Sequence, residues 1–143
     1  MKAVAINRIA AIAGESNDYR GGAATSCHRL KRACEFLCGK LGFSLVFSYG
    51  KPPYYAQVRR DAARLNLRLA ERPVLKSAVR EREELLSVSM TVATAEEIKL
   101  LFLEFQSAGV DFQQTLKKQP WGARNFVVRD PDRNLLLFAG PAS

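Results

Sequence analysis

The chain is poor in the residues that most often carry chemistry. It has one histidine, His28, and three cysteines, Cys27, Cys34 and Cys38. An odd number of cysteines without framework spacing excludes a disulfide scaffold and suits a reduced, cytoplasmic setting. Cys34 and Cys38 lie one helical turn apart, and nothing resembles a paired Cys-x-x-Cys site, so they read as small buried hydrophobes rather than metal ligands. A lone histidine at a strand end reads as a rim residue. Without a second one, no Ser/His/Asp or Cys/His arrangement can be argued. No apolar run reaches membrane-spanning length. A secretory start at Lys2 is disfavoured, because Asn7 and Arg8 interrupt Ala3 to Ala13 and no clear cleavage site follows. Lysine and arginine outnumber aspartate and glutamate by 22 to 14, a formal charge of +8. These charges are dispersed, without a lysine-rich tract or nucleic-acid motif. That disfavours nucleic acid and leaves an anionic ligand or a solvated surface.

What is present suits one globular domain: 143 residues, 48% of them hydrophobic. Residues 1–20 read as an N-terminal extension. Gly21 to His28 reads as a weak strand of small residues. Leu30, Ala33, Leu37 and Leu41 share one face of a helix that Gly39 or Gly42 can end. Phe43 to Tyr49 and Tyr54 to Arg60 read as strands about a Gly50-Lys51-Pro52-Pro53 turn. Arg64 to Leu69 alternates strictly, as a sheet with one oily and one wetter face requires. Glu71 to Glu84, with Pro73, reads as a connection. Leu86 to Val92 is a further strand. Ala95 to Ser107 is a helix with Thr94 as N-cap and Glu97 completing a capping box. Asp111 to Lys117, Phe126 to Val128 and Leu135 to Phe138 are the closing strands.

The order strand, helix, three strands therefore occurs twice, over about 21–70 and 86–140. The halves align: Cys27 through Phe36 on Val92 through Leu101, Leu41-Gly42-Phe43 on Ala108-Gly109-Val110, and Asp61 through Leu67 on Asp132 through Phe138. Neither half can bury its sheet alone, so pairing two units is the physically sensible outcome.

Pro120-Trp121-Gly122 followed by Asp130-Pro131-Asp132-Arg133-Asn134 resembles the C-terminal hairpin of the vicinal oxygen chelate superfamily (glyoxalase/bleomycin resistance protein/dioxygenase). Bleomycin-resistance-like proteins are the nearest in pattern, although Arg133 stands where their turn has glycine. The resemblance covers residues 21–143 and implies an α+β fold of two βαβββ modules whose curled sheets form a cleft, commonly in a homodimer.

Enzymes of that superfamily hold a divalent metal with His, Glu or Gln on the first, fourth, fifth and eighth strands. Carried over through the motif and the repeat, those places are Gly22, Asn66, Ser87 and Leu137. Such a set makes a poor site, so the expectation is no metal, no cofactor and no catalytic residue. Strand parity puts Arg64, Asn66 and Arg68 on the cleft face, with Ser87, Ser89 and Thr91 from the fifth strand and Leu135 and Leu137 from the eighth. Tyr49, Tyr54, Tyr55 and Trp121 are candidates for aromatic stacking, with core or corner packing as their alternative. For the arginines the alternative is plain solvent exposure. The expected function is metal-free binding of a small aromatic or anionic molecule, such as sequestration of an antibiotic. A lyase- or dioxygenase-type enzyme with a degenerate or substrate-borne metal site is the alternative, and a scaffold with an empty cleft is a third.

Overall fold

The computed structural model describes residues 2–6, 9–12, 22–51, 53–70, 86 and 88–142. Nine strands and two helices stand in them: β1 Lys2–Ile6, β2 Ile9–Ile12, α1 Gly22–Gly39, β3 Ser44–Tyr49, β4 Tyr55–Arg60, β5 Ala63–Ala70, β6 Val88–Thr91, α2 Ala95–Ser107, β7 Asp111–Lys118, β8 Arg124–Arg129 and β9 Leu135–Gly140. They form a four-stranded sheet ordered β2-β5-β4-β3 and a five-stranded sheet ordered β1-β6-β9-β8-β7. In each module the first strand lies parallel to the fourth, β2 against β5 and β6 against β9. A parallel pair needs a crossover connection, and in the second module α2 lies within it.

One expectation is corrected. Residues 22–28 are not a strand but the opening turns of α1. The stretch Gly22-Ala23-Ala24-Thr25-Ser26-Cys27-His28 holds two good helix formers, no proline and one β-branched residue, and its one glycine sits at the helix start, where it costs least. The strand that precedes the helix is β2. Residues 2–6 thus supply β1 to one sheet and residues 9–12 supply β2 to the other.

Helix ends follow local chemistry in both modules. Thr94 accepts the Glu97 N–H through its side chain at 3.1 Å, while the Glu97 carboxylate accepts the Ala93 N–H at 2.9 Å. After α1 the chain turns at Gly42 (φ 73°), and after α2 at Gly109 (φ 74°), conformations glycine adopts without penalty. The following residues, Phe43 and Val110, are both buried.

A continuous apolar core joins the modules, with Leu30, Ala33, Leu37 and Leu41 meeting Ala56, Val58, Leu65 and Leu67, and Ile98, Leu101 and Phe105 meeting Val88, Met90, Leu136 and Phe138. Phe126 and Phe138 face each other across β8 and β9 and stack at 5.2 Å, with Phe105 edge-on to both. Each such ring contributes roughly 2–3 kcal/mol by burial. Two ion pairs tie each module's helix to the other's turn or strand end. Arg32 of α1 donates to Asp132 at 2.8 Å, and Arg60 of β4 donates to Glu104 of α2 at 2.8 Å and to the Leu41 carbonyl at 2.7 Å.

Candidate functional site

The helices cover one face of each sheet, and the opposite faces carry the polar side chains. On β5, Leu65 and Leu67 are buried in the core, whereas Arg64 and Arg68 are exposed and Asn66 is half-buried. On β4, Ala56 and Val58 point to the core and leave Tyr55, Gln57 and Arg59 on the other side. The register sets three pairs on this open face: Tyr55 opposite Arg68, Gln57 opposite Asn66, and Arg59 opposite Arg64. A short amide row runs through them. Gln57 Nε2 donates to Asn66 Oδ1 at 2.9 Å, and Arg64 Nη1 donates to Gln57 Oε1 at 3.4 Å. The next strand, β3, brings Phe47 opposite Gln57, and its ring lies 5.8 Å from that of Tyr55.

The second module repeats the same three pairs with different side chains. Asn125 stands opposite Ala139, Val127 opposite Leu137, and Arg129 opposite Leu135. By the repeat, Gln57–Asn66 in one module corresponds to Val127–Leu137 in the other. Val127 and Leu135 are buried and Leu137 is half-buried, so this wall is apolar. Beside it, Asn125 Oδ1 accepts from Gln114 Nε2 at 2.9 Å and from Gln119 Nε2 at 2.8 Å. Ser89 pairs with Leu137 across β6 and β9, and Ser89 and Thr91 are half-buried while Val88 and Met90 are in the core.

Other candidates separate from this face. Gly22 opens α1 and belongs to no strand, which corrects its placement as a first-strand position. Ser87 lies outside the described residues. Tyr49 and Tyr54 pair edge-to-face at 5.8 Å on the β3–β4 hairpin tip, and both are exposed. Trp121 is 73% exposed on the corresponding β7–β8 turn. Reading Tyr55 to Arg59 by parity would have added Gln57 and Arg59. Asn125 was out of reach because the strand expected at Phe126 begins two residues earlier.

The donor set fits a divalent metal poorly. The described first strand, β2, consists of isoleucine and alanine only. The fourth strand offers an amide between two guanidiniums, the fifth hydroxyls, and the eighth leucines and alanine. The carboxylate found on these faces among the described residues, Asp111, is held by Arg129 at 3.0 and 3.2 Å. Among the described residues no three of His, Cys, Asp and Glu converge. Burial pushes the Cys34 thiol up to about 11 and raises Cys38 as well, so both stay protonated.

Two further features are structural. Asp130 is buried in the β8–β9 turn, where its carboxylate accepts the N–H groups of Asp132 and Asn134 and the Asn134 amide at 2.7–2.9 Å. Burial outweighs those bonds and pushes its pKa up to about 6. A groove of about 410 Å³ on the helix side is lined by Arg60, Asp61, Val92, Glu97, Leu100, Leu101 and Glu104. Glu97 is engaged in the helix cap and Arg60 pairs with Glu104 across it, so it reads as the seam between modules.

Two βαβββ modules with matched open faces define a class of paired-module α+β proteins. The model of the Glyoxalase/Bleomycin resistance protein/Dioxygenase superfamily matches residues 23–138, and the chain belongs to that family. No curated protein matches the chain. Among solved structures, a glyoxalase/bleomycin resistance protein/dioxygenase from Alicyclobacillus acidocaldarius is 17% identical, with 98% of this chain and 93% of that one covered at a TM-score of 0.62. A bleomycin-binding protein from Streptomyces verticillus, solved with copper(II)-bleomycin, is 24% identical over 76% and 84% of the two chains, with a TM-score of 0.54. A lactoylglutathione lyase from Agrobacterium tumefaciens is 14% identical over 96% and 93%, with a TM-score of 0.59. At these identities the likeness is one of fold, and it spans binding proteins and enzymes alike.

Proposed function

We propose that this protein binds a small molecule between the open faces of its two sheets, and holds it without a metal and without transforming it. The observation that carries this reading is the chemistry of the paired positions. Asn66 and Leu137 stand at the fourth- and eighth-strand places from which the family resemblance would draw chelating side chains, and their cross-strand partners are Gln57 and Val127. An amide pair and an aliphatic pair offer hydrogen bonds and apolar contact but no anionic or imidazole ligand. Rings at Phe47 and Tyr55 supply a stacking surface, with Tyr49, Tyr54 and Trp121 exposed at the hairpin tips. The arginines on the first module's face favour neutral or anionic aromatic ligands over cationic drugs of the bleomycin type.

The same reading places the protein in the reduced cytoplasm and makes it a homodimer. Among the described residues β3 is a sheet edge, and its Leu45, Val46, Phe47 and Tyr49 are 42–65% exposed. An apolar edge of that kind invites a second chain.

Thermal-shift titration in EDTA, with bleomycin and a panel of aromatic carboxylates and amides, tests the function. Ligand present at about 100 times its Kd stabilises the fold by about 2.7 kcal/mol, which a melting curve resolves. Stabilisation by panel compounds in EDTA supports metal-free binding. Stabilisation only after a divalent ion is added, with turnover of the compound, would return the enzyme reading to first place.

A further inference from the structure

The two modules hold one arginine at equivalent register positions, and its surroundings differ. In the second module Arg129 stands opposite Asp111 on β7 and Leu135 on β9, and Asp111 takes up its charge. In the first module Arg59 stands opposite Ser44 on β3 and Arg64 on β5. The acid has become a hydroxyl and the leucine a second guanidinium. Like charges directly opposite each other in a strand pair repel, with Cβ atoms only about 5 Å apart. Among the described residues no carboxylate lies within ion-pair distance of Arg59 or Arg64. The hydrogen bond that Arg64 makes there is the long one to Gln57. A repeat that neutralises this position in one copy and doubles its charge in the other marks the second arrangement as one completed by an anion.

We infer that Arg59 and Arg64 form the anchor for the carboxylate of a flat aromatic ligand whose ring lies along the same face toward Tyr55 and Phe47. This deepens the proposed binding function and rests on it. Guanidinium forks match carboxylate geometry and bind it through charge-assisted hydrogen bonds. The direction of the amide row agrees. Asn66 accepts from Gln57 through its oxygen, so its NH₂ remains the donating end. The face therefore offers donors at its centre as well as at Arg59 and Arg64.

The test uses the full chain at low salt with 2-naphthoate, indole-3-carboxylate and their carboxamides, followed by calorimetry and thermal shift. Each carboxylate should bind about tenfold tighter than its amide. Arg59→Gln and Arg64→Gln should each erase that preference, whereas Lys99→Gln, an equal charge change on the exposed side of α2, should keep it. The informative variant is Ser44→Asp, which copies the acid of the second module. It should remove the preference while leaving the melting temperature unchanged or higher, an outcome that unfolding cannot produce. Equal affinity for acid and amide, or a preference that survives Ser44→Asp, overturns the anchor but leaves small-molecule binding standing. Failure of all four compounds to bind overturns both. Tighter binding of a duplex DNA oligonucleotide, lost in Arg59→Gln, would reassign the face and also overturn the anchor.

Discussion

Arg133 sits at φ 61°, in the left-handed region that an L side chain enters at a cost. The turn explains why. Arg133 N–H donates to the Asp130 carbonyl at 3.0 Å, and Asp130 N–H donates to the Asn134 carbonyl at 3.0 Å. Asp130 and Asn134 thus close the β8–β9 connection into a hairpin link of three residues, Pro131, Asp132 and Arg133, and the last of such a link takes the left-handed conformation that glycine usually supplies. A direct Arg133→Gly comparison would mix this backbone effect with whatever the arginine side chain contributes. Comparing Arg133→Ala with Arg133→Gly removes the side chain from both. The left-handed conformation costs alanine about 1–2 kcal/mol, and the unfolded-state entropy of glycine offsets about 0.5–1 kcal/mol of the difference. The glycine variant should therefore be the more stable by roughly 0.5–1 kcal/mol, or about 2–4 °C in Tm for a domain of this size. Urea denaturation and thermal scans followed by far-UV circular dichroism measure both quantities. An alanine variant equal to or more stable than the glycine variant would refute the claim that the turn holds a strained residue.

The raised pKa of Asp130 has a definite sign. Between the ordinary value of 3.8 and about 6 the folded state binds more protons than the unfolded state, so this group's contribution to stability falls as pH rises through that window. Relative to Asp130→Asn, the wild-type protein should lose about 2 kcal/mol between pH 4 and pH 6.5, read from urea midpoints, and a constant difference across the range contradicts the assignment. The proposed homodimer should appear in light scattering at high micromolar concentration, where a monomer counts decisively against it.

Much of the fold was legible because local and tertiary signals agreed. Thr94 and Glu97 cap α2 as the sequence pattern requires, and Gly42 and Gly109 end their helices in matching conformations. The alternation from Arg64 to Arg68 gave the correct faces of β5, because its leucines have only the helix-packed side on which to be buried. The N-terminal region was misread for a physical reason. Small residues from Gly22 to His28 carry neither alternation nor an apolar stripe, and the repeat was extended through them to a strand that lies further upstream. Arg59 escaped notice because one strand read alone makes it an ordinary exposed cation. Its meaning depends on two cross-strand neighbours, Ser44 and Arg64, and pairing register is not written in either segment. The clasps Arg32–Asp132 and Arg60–Glu104 were out of reach for the same reason, since each joins residues 44 or 100 positions apart.

The repeat also separates two kinds of work. Several polar groups of the second module are satisfied from within it: Arg129 has Asp111, Asn125 has two glutamines, and Asp130 has its turn. Its remaining open-face positions, Val127, Leu135 and Leu137, are aliphatic, so this wall gains stability from burial and asks little of a ligand beyond shape. The first module spends less on itself. It sets Arg59 against Arg64 and Tyr55 against Arg68, with donors unspent on the amide row between them. The shared core and the two reciprocal ion pairs allow this, because the order of the first module's sheet is supported from α1, β5 and α2 rather than from its own open face. A substitution on the first module's face should accordingly change what is bound more than how firmly the protein folds. The equivalent change in the second module should do the reverse.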